Sequence, residues 1–234
     1  DIAERSFNIF NVMENIGRDQ LLPMTTIVII YNTGLKQFIN EPKAALFLDR
    51  ITTTYRQDVQ YHNDIHGCDV LQMVFYLLSS CDLLTKLKLN KLDTLSILLA
   101  AVCHDIGHDG LTNGYHVNAM TDRAIESNDF SVQESFHAAE LFRILNIPEL
   151  NFLEEISPHQ YKLFRKRIIG LILATDPSKH LNEMSIFNSL LDEYDIKDGQ
   201  NVEKLVDMED EAIVQSNQQK ILENCIHLCD VGNN

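Results

Sequence analysis

The 234-residue sequence has no tryptophan, only nine glycines and only five prolines. So few breakers leave little punctuation for the short strands of a sandwich or barrel. The many Leu/Ile/Ala-rich stretches suit helices instead. Basic charge is also scarce: 19 Lys and Arg stand against 34 Asp and Glu, a net charge of -15. That balance repels a polyanion and excludes nucleic acid as the expected partner. A small anion stays open as a ligand, because a bound metal dominates its local field. No apolar run approaches the roughly 18 residues that span a bilayer; the strongest, around residues 27–31, is too short. There is no N-x-[ST] sequon and no CxxC. The five cysteines (Cys68, Cys81, Cys103, Cys225 and Cys229) fall partly within apolar runs. They read as free thiols in a reducing, cytoplasmic compartment. The chain opens on Asp1 and closes inside an informative segment, so it is expected to be an excerpt, with any anchor or regulatory domain outside it left open.

What is present is 45% hydrophobic content, enough for one substantial core. Residues 1–40 read as short helices separated by Gly17, Pro23 and Gly34, although the run 27–30 has the look of a strand. Residues 44–55 form a helix begun by Pro42. Helical spacing continues over 69–84 and over 92–103; the latter is apolar on nearly every face and therefore buried all round. Ser131 with Glu134 is the signature of a capping box opening a helix over 131–145. A further helix covers 164–175 and closes near Pro177. After a polar loop at 195–201, the acidic run 209–211 opens a last helix that reaches Asp230. One all-α domain over 1–234 accounts for this pattern, with no internal repeat.

Two clusters carry chemistry. His62 and His66 are four apart and project from one side of a helix or helical turn. His104 and His108 repeat that spacing and set Asp105 beside the first imidazole, at the end of the buried helix. Imidazole with carboxylate selects Zn2+, Mn2+ or Fe2+. A single histidine is ordinarily a satisfied, partly buried ring. Two such pairs, one abutting a carboxylate that needs a partner, point to metal ligation or acid–base work. Asp230 ends another apolar helix, where either a cation or a helix cap would explain it.

These residues resemble the motifs of class I cyclic nucleotide phosphodiesterases. YHNDIHGCDV is similar to the family's YHNxxHxxDV, and HDIGHDGLTN to its HDxxHxGxxN. SVQESFHAAELF, LATDPSKH and IHLCDVGN resemble three further family segments, all in the family's order. The resemblance implies a compact multi-helix phosphodiesterase catalytic domain of HD type, lacking its last helices after the Asp230 motif. It implies that His66, His104, Asp105 and Asp230 bind a tight metal, usually zinc, and that Asp105 bridges to a second, magnesium or manganese. His108, Glu134, His137 and Thr175 would surround the second metal through waters. His62 would be the general acid, and Tyr61 and Asn113 would line or brace the pocket. The implied reaction is hydrolysis of cAMP, cGMP or both to nucleoside 5'-monophosphates, by a hydroxide held between the metals, ending cyclic-nucleotide signalling. Regulatory domains, a homodimer or a membrane anchor would lie outside this chain. So would the glutamine and aromatic clamp that choose the purine.

Departures from the family pattern are Asp109 in place of a proline, expected to add a carboxylate near the metals, Phe136 in place of a histidine, and Pro177 in place of a larger apolar residue. The other readings are a different HD-type phosphohydrolase, a non-catalytic cyclic-nucleotide-binding module, and a helical scaffold with incidental histidines. His159 and His180 are expected to take no part in the chemistry.

Overall fold

A computed structural model of the chain describes residues 1–153 and 156–232. Among the described residues there is no β-strand, only an isolated bridge between Lys197 and Gln200 in the polar loop. The helices in chain order are α1 (Ile9–Ile16), α2 (Arg18–Asn32), α3 (Glu41–Thr54), α4 (Asp64–Ser79), α5 (Leu83–Lys86) and α6 (Lys91–Cys103). After them come α7 (Asn113–Asn118), α8 (Asp122–Ser127), α9 (Val132–Leu145), α10 (Pro158–Leu173), α11 (His180–Glu193) and α12 (Glu211–Val231). None of these is long and apolar enough to cross a membrane.

The architecture is built around α6. Asn90 caps it in a capping box with Asp93, and every residue from Asp93 to Cys103 is buried. Helices α4 and α10 lie against it on two sides, with α9, α12 and α2 closing the remainder. Full burial of a Leu or Ile contributes about 1.5–3 kcal/mol, so a helix without a polar face is stable only in this central position. Its C-terminus delivers His104 and Asp105 to the middle of the molecule.

Local chemistry explains several boundaries. Asn63 caps α4 by accepting from the Ile65 and His66 N–H groups. The helix therefore begins at Asp64, earlier than residue 69, and His62 stands just before it. It also ends earlier than the apolar spacing suggests, at Ser79, because Asp82 adopts a left-handed conformation (φ 59°) and starts α5 separately. Ser157 and Gln160 form a capping box that opens α10 well before residue 164. Pro23 does not divide α2 but lies buried inside it. A proline there forfeits one N–H bond, at a cost of about 3 kcal/mol; burial of Leu21, Leu22, Ile29 and Ile30 in the same helix offsets that loss. The expected capping box of α9 is absent. Ser131 is itself left-handed (φ 44°), makes no cap bond, and donates its hydroxyl to Asp176 at 2.7 Å.

Close approach of α4 to the end of α3 depends on one glycine. A Cβ on Gly67 would sit 2.6 Å from the Tyr55 hydroxyl oxygen. That hydroxyl is buried and donates to the Val102 carbonyl at 3.1 Å. Gly67→Ala is therefore expected to destabilise the protein by about 1–3 kcal/mol through overpacking. Chemical denaturation would read this directly, and an unchanged midpoint would show that Tyr55 can retreat.

Candidate metal centre

Three segments converge where α4 begins, α6 ends and α12 ends. His66 Nε2 lies 2.9 Å from Asp230 Oδ1 and 3.2 Å from His104 Nε2. His104 Nε2 is 3.4 Å from both Asp105 Oδ2 and Asp230 Oδ1, and His66 Nε2 is 3.6 Å from Asp105 Oδ2. The ligand–ligand edge of a tetrahedral zinc site with ordinary bond lengths is about 3.4 Å, and of an octahedral site about 3.0 Å. These five separations straddle both; His66, His104 and Asp105 form a group that could hold one divalent cation, with Asp230 Oδ1 beside both imidazoles. His104 Nδ1 donates to the Ala101 carbonyl at 2.8 Å, which turns the Nε2 lone pair toward the group.

Asp105 faces two ways. Its Oδ2 belongs to the group just described and also accepts from His62 Nδ1 at 2.8 Å. Its Oδ1 faces His137 Nε2 at 3.8 Å. His137 donates Nδ1–H to the Ile106 carbonyl at 2.8 Å, leaving its buried Nε2 without a hydrogen-bond partner. An orphaned imidazole nitrogen beside a carboxylate oxygen fits a second cation, or the water around one. His108 completes a second ligand-like group with His62 and Asp105. Its ring is stacked on His62 with centroids 4.1 Å apart and on His137 at 5.6 Å.

The electrostatics match this division. Burial alone would raise the Asp105 carboxyl; the His104 charge and the His62 hydrogen bond outweigh it and hold the group well below the usual carboxylate range. Asp230 is likewise lowered, against burial, by His104 and His66. Burial disfavours imidazolium at His104, yet Asp105 and Asp230 lift its pKa to about 10. Burial pushes His108 down to about 4 and His137 down to about 3, so both are neutral at pH 7. Glu134 is pushed up to about 7 by burial, opposed by a 2.9 Å bond from Asn113 Nδ2. Two ionised carboxylates thus attract positive charge, which a proton on His104 supplies when a metal does not.

Of the other residues singled out from the sequence, Tyr61 stands at the rim with its ring 5.0 Å from His62 and 4.6 Å from His66. Asn113 braces Glu134 and also accepts from the Gln133 N–H at 2.8 Å. Thr175 is buried, with its hydroxyl donated to the Ile172 carbonyl. Asn233, the last residue of the Asp230 motif, lies outside the described residues.

Asp109 places its carboxylate close enough for its charge to act on His108, but its oxygens are held by other side chains. His116 Nε2 at 3.2 Å, Arg123 Nη1 at 3.4 Å and Gln133 Nε2 at 2.6 Å engage it. Sequence reasoning missed His116 and Arg123, which carry no motif. It also missed the 2.8 Å contact between His180 Nδ1 and His227 Nε2, and the buried Asp64 that Arg18 Nε reaches at 3.0 Å.

A family model described as 3'5'-cyclic nucleotide phosphodiesterase matches residues 61–234. The 3',5'-cyclic-nucleotide phosphodiesterase regA of Dictyostelium discoideum is 35% identical over 183 residues, covering 77% of this chain and 22% of that protein. The probable 3',5'-cyclic-AMP phosphodiesterase pde-4 of Caenorhabditis elegans is 32% identical over 223 residues, covering 94% and 32% respectively. The chain thus spans roughly a fifth to a third of the length of these curated relatives. Among solved structures, the phosphodiesterase domain of the RhoPDE fusion protein from the choanoflagellate Salpingoeca rosetta superposes with a TM-score of 0.81. Sequence identity is 25%, and the match covers all of this chain and 68% of that one.

Proposed function

Because this chain belongs to the 3'5'-cyclic nucleotide phosphodiesterase family, we propose that it hydrolyses the 3'-phosphoester bond of 3',5'-cyclic nucleotides, releasing nucleoside 5'-monophosphates and so ending the signal these carry. The observation that supports this reading most strongly is Asp105, whose two oxygens face two different sets of imidazoles.

In this reading His66, His104, Asp105 and Asp230 hold the tighter ion, zinc. Asp105 would also help to hold a second ion, magnesium or manganese, with His108, Glu134, His137 and Thr175 placed to act on it through waters. Such a pair of cations supplies charge to the phosphate oxygens and lowers the pKa of the attacking water. The chain's own residues do the rest. A water that has released one proton to solvent bonds through its oxygen to phosphorus as the bond from phosphorus to the ribose 3'-oxygen breaks, and that oxygen needs a proton to leave. His62 carries one: with Nδ1–H held by Asp105, the Nε2–H of its imidazolium is free to be donated. Its side chain is 40% exposed, as a group at the mouth of a site must be. Asp105 raises the His62 pKa against the opposing effect of burial, which keeps the acid form populated. Tyr61 and Asn113 line and brace the pocket.

The test is product analysis of metal-replete protein with cAMP and with cGMP, with and without chelator. We expect 5'-monophosphate from one or both, loss of turnover on chelation, and recovery on adding Zn2+ with Mg2+ or Mn2+. Adding Zn2+ at a hundred times its dissociation constant to stripped protein should also raise stability by about 2.7 kcal/mol. Turnover indifferent to chelator, or no product from either nucleotide, would remove the proposal.

A further inference from the structure

The loop 105–112 carries Asp105 and His108 into the site, yet its own backbone does little to hold it. Gly107 and Gly110 are both left-handed (φ 70° and 84°). The N–H groups of Ile106 and His108 make only turn bonds, to Cys103 and Asp105. What fixes the loop is a set of side chains from α7, α8 and α9. Arg123 donates Nη2–H to the Gly107 carbonyl at 3.1 Å and Nη1–H to Gln133 Oε1. It also ion-pairs with Asp109 and lies 3.6 Å from the Phe136 ring centroid. Gln133 Nε2 donates both to Asp109 Oδ1 and, at 2.9 Å, to the Leu111 carbonyl. Asp109 further accepts from the Leu111 N–H at 3.1 Å and from His116. A Cβ on Gly107 would meet Phe136 at 2.9 Å, so ring and loop are in close contact. Asp109 and Phe136, both departures from the family pattern, thus meet at one guanidinium.

This clamp grips the chain on both sides of Gly110, whose N–H donates to His108 Nδ1 at 2.9 Å. A neutral imidazole that accepts at Nδ1 carries its proton on Nε2. The loop position therefore selects the His108 tautomer, and it also sets the plane of the ring that stacks on His62 within 18° of parallel. We propose that Arg123, acting through Asp109 and the Gly107 carbonyl, is a positioning residue that fixes the His108 tautomer and ring plane and thereby braces His62. The assignment rests on the reading that His62 delivers the proton. Arg123 touches neither substrate nor reacting atoms.

The experiment compares wild type with Arg123→Met, Arg123→Lys and Asp109→Asn by two readouts. The first is nitrogen-15 NMR of the histidine rings in chelator-treated protein, which needs no activity. Wild type should show His108 protonated only at Nε2, and Arg123→Met a mixture of tautomers. The second is steady-state kinetics with the cyclic nucleotide. Here kcat should fall about 10- to 100-fold, the scale of a small misplacement of a reacting group, with KM within about twofold. Arg123→Lys should recover part of kcat, because an ammonium can still reach the Gly107 carbonyl but cannot serve three acceptors in one plane. If Arg123→Met fails to fold, Arg123→Lys and Asp109→Asn give the same two readouts in milder form. A single Nε2–H tautomer in the folded variants overturns the proposal, as does a mixed tautomer with unchanged kcat, or a loss that lies wholly in KM. Should wild type hydrolyse no cyclic nucleotide, the proposed function falls, while the NMR comparison still decides whether the clamp governs His108.

Discussion

Asp105→Asn is expected to abolish measurable turnover, with a loss of about 10^4-fold or more, and to strip both cations. The reason is that one carboxylate serves two positions. Oδ2 stands 3.4 Å from His104 Nε2 and 3.6 Å from His66 Nε2, while Oδ1 faces His137. An amide keeps the shape but removes the charge, and it turns one of the two oxygens into a donor that a cation repels. Losing the several kcal/mol of transition-state stabilisation attributed to bound metals corresponds to four decades at about 1.36 kcal/mol per decade. Elemental analysis beside kinetics separates the cases. Asp230→Asn should lower occupancy mainly at the site shared with His66 and His104, whereas Asp105→Asn should lower both. If Asp105→Asn kept a near-normal rate, Asp105 would not be common to two ions.

His62→Ala is expected to cut kcat by about 10^2- to 10^4-fold, the usual range for a lost general acid, while leaving metal content unchanged. A loss of zinc in this variant would make His62 a ligand instead. The pH profile offers an independent check. Burial lowers the His62 pKa, but the hydrogen bond and charge of Asp105 outweigh it and raise the group above 6.5. The donating form is the protonated one, so the rate should fall as pH rises through that elevated pKa. This alkaline limb should be missing from His62→Ala. A substrate whose leaving group is already acidic, such as a nitrophenyl phosphodiester, should lose far less than the cyclic nucleotide on the same substitution. Equal losses on both would argue that His62 does something other than protonate the departing oxygen.

Much of this was readable in the chain. The all-round apolar pattern before His104 predicts a central helix, and α6 is one. The two His-x3-His pairs predict converging imidazoles, and their rings run in a continuous series from His104 through His66 and His62 to His108. Turn chemistry was less legible. Ser131 and Glu134 have the right spacing for a capping box, but spacing says nothing about Asp176, which takes the Ser131 hydroxyl from 45 residues away. Pro23 reads as a breaker because local rules price the lost N–H and not the burial around it. Asp230 was ambiguous from its helix alone; its partner His66 is 164 residues distant. The partners of Asp109 could not be read at all, since the Arg123 that engages it bears no motif. A scaffold with incidental histidines gives no reason for His66 and His104 to meet Asp105 and Asp230, or for His137 to face Asp105.

The wide separation of His66 and Asp230 has a consequence for biosynthesis. At the usual 5–20 residues per second, roughly 8–33 s pass between their exits from the ribosome. Until α12 docks, the emerging polypeptide offers only His66, His104 and Asp105, and its two rings face an incomplete cage. Under the proposed ligand assignment, firm capture of the ion therefore waits until α12 docks against α4, so metal-deprived chains should be loosely packed along α12.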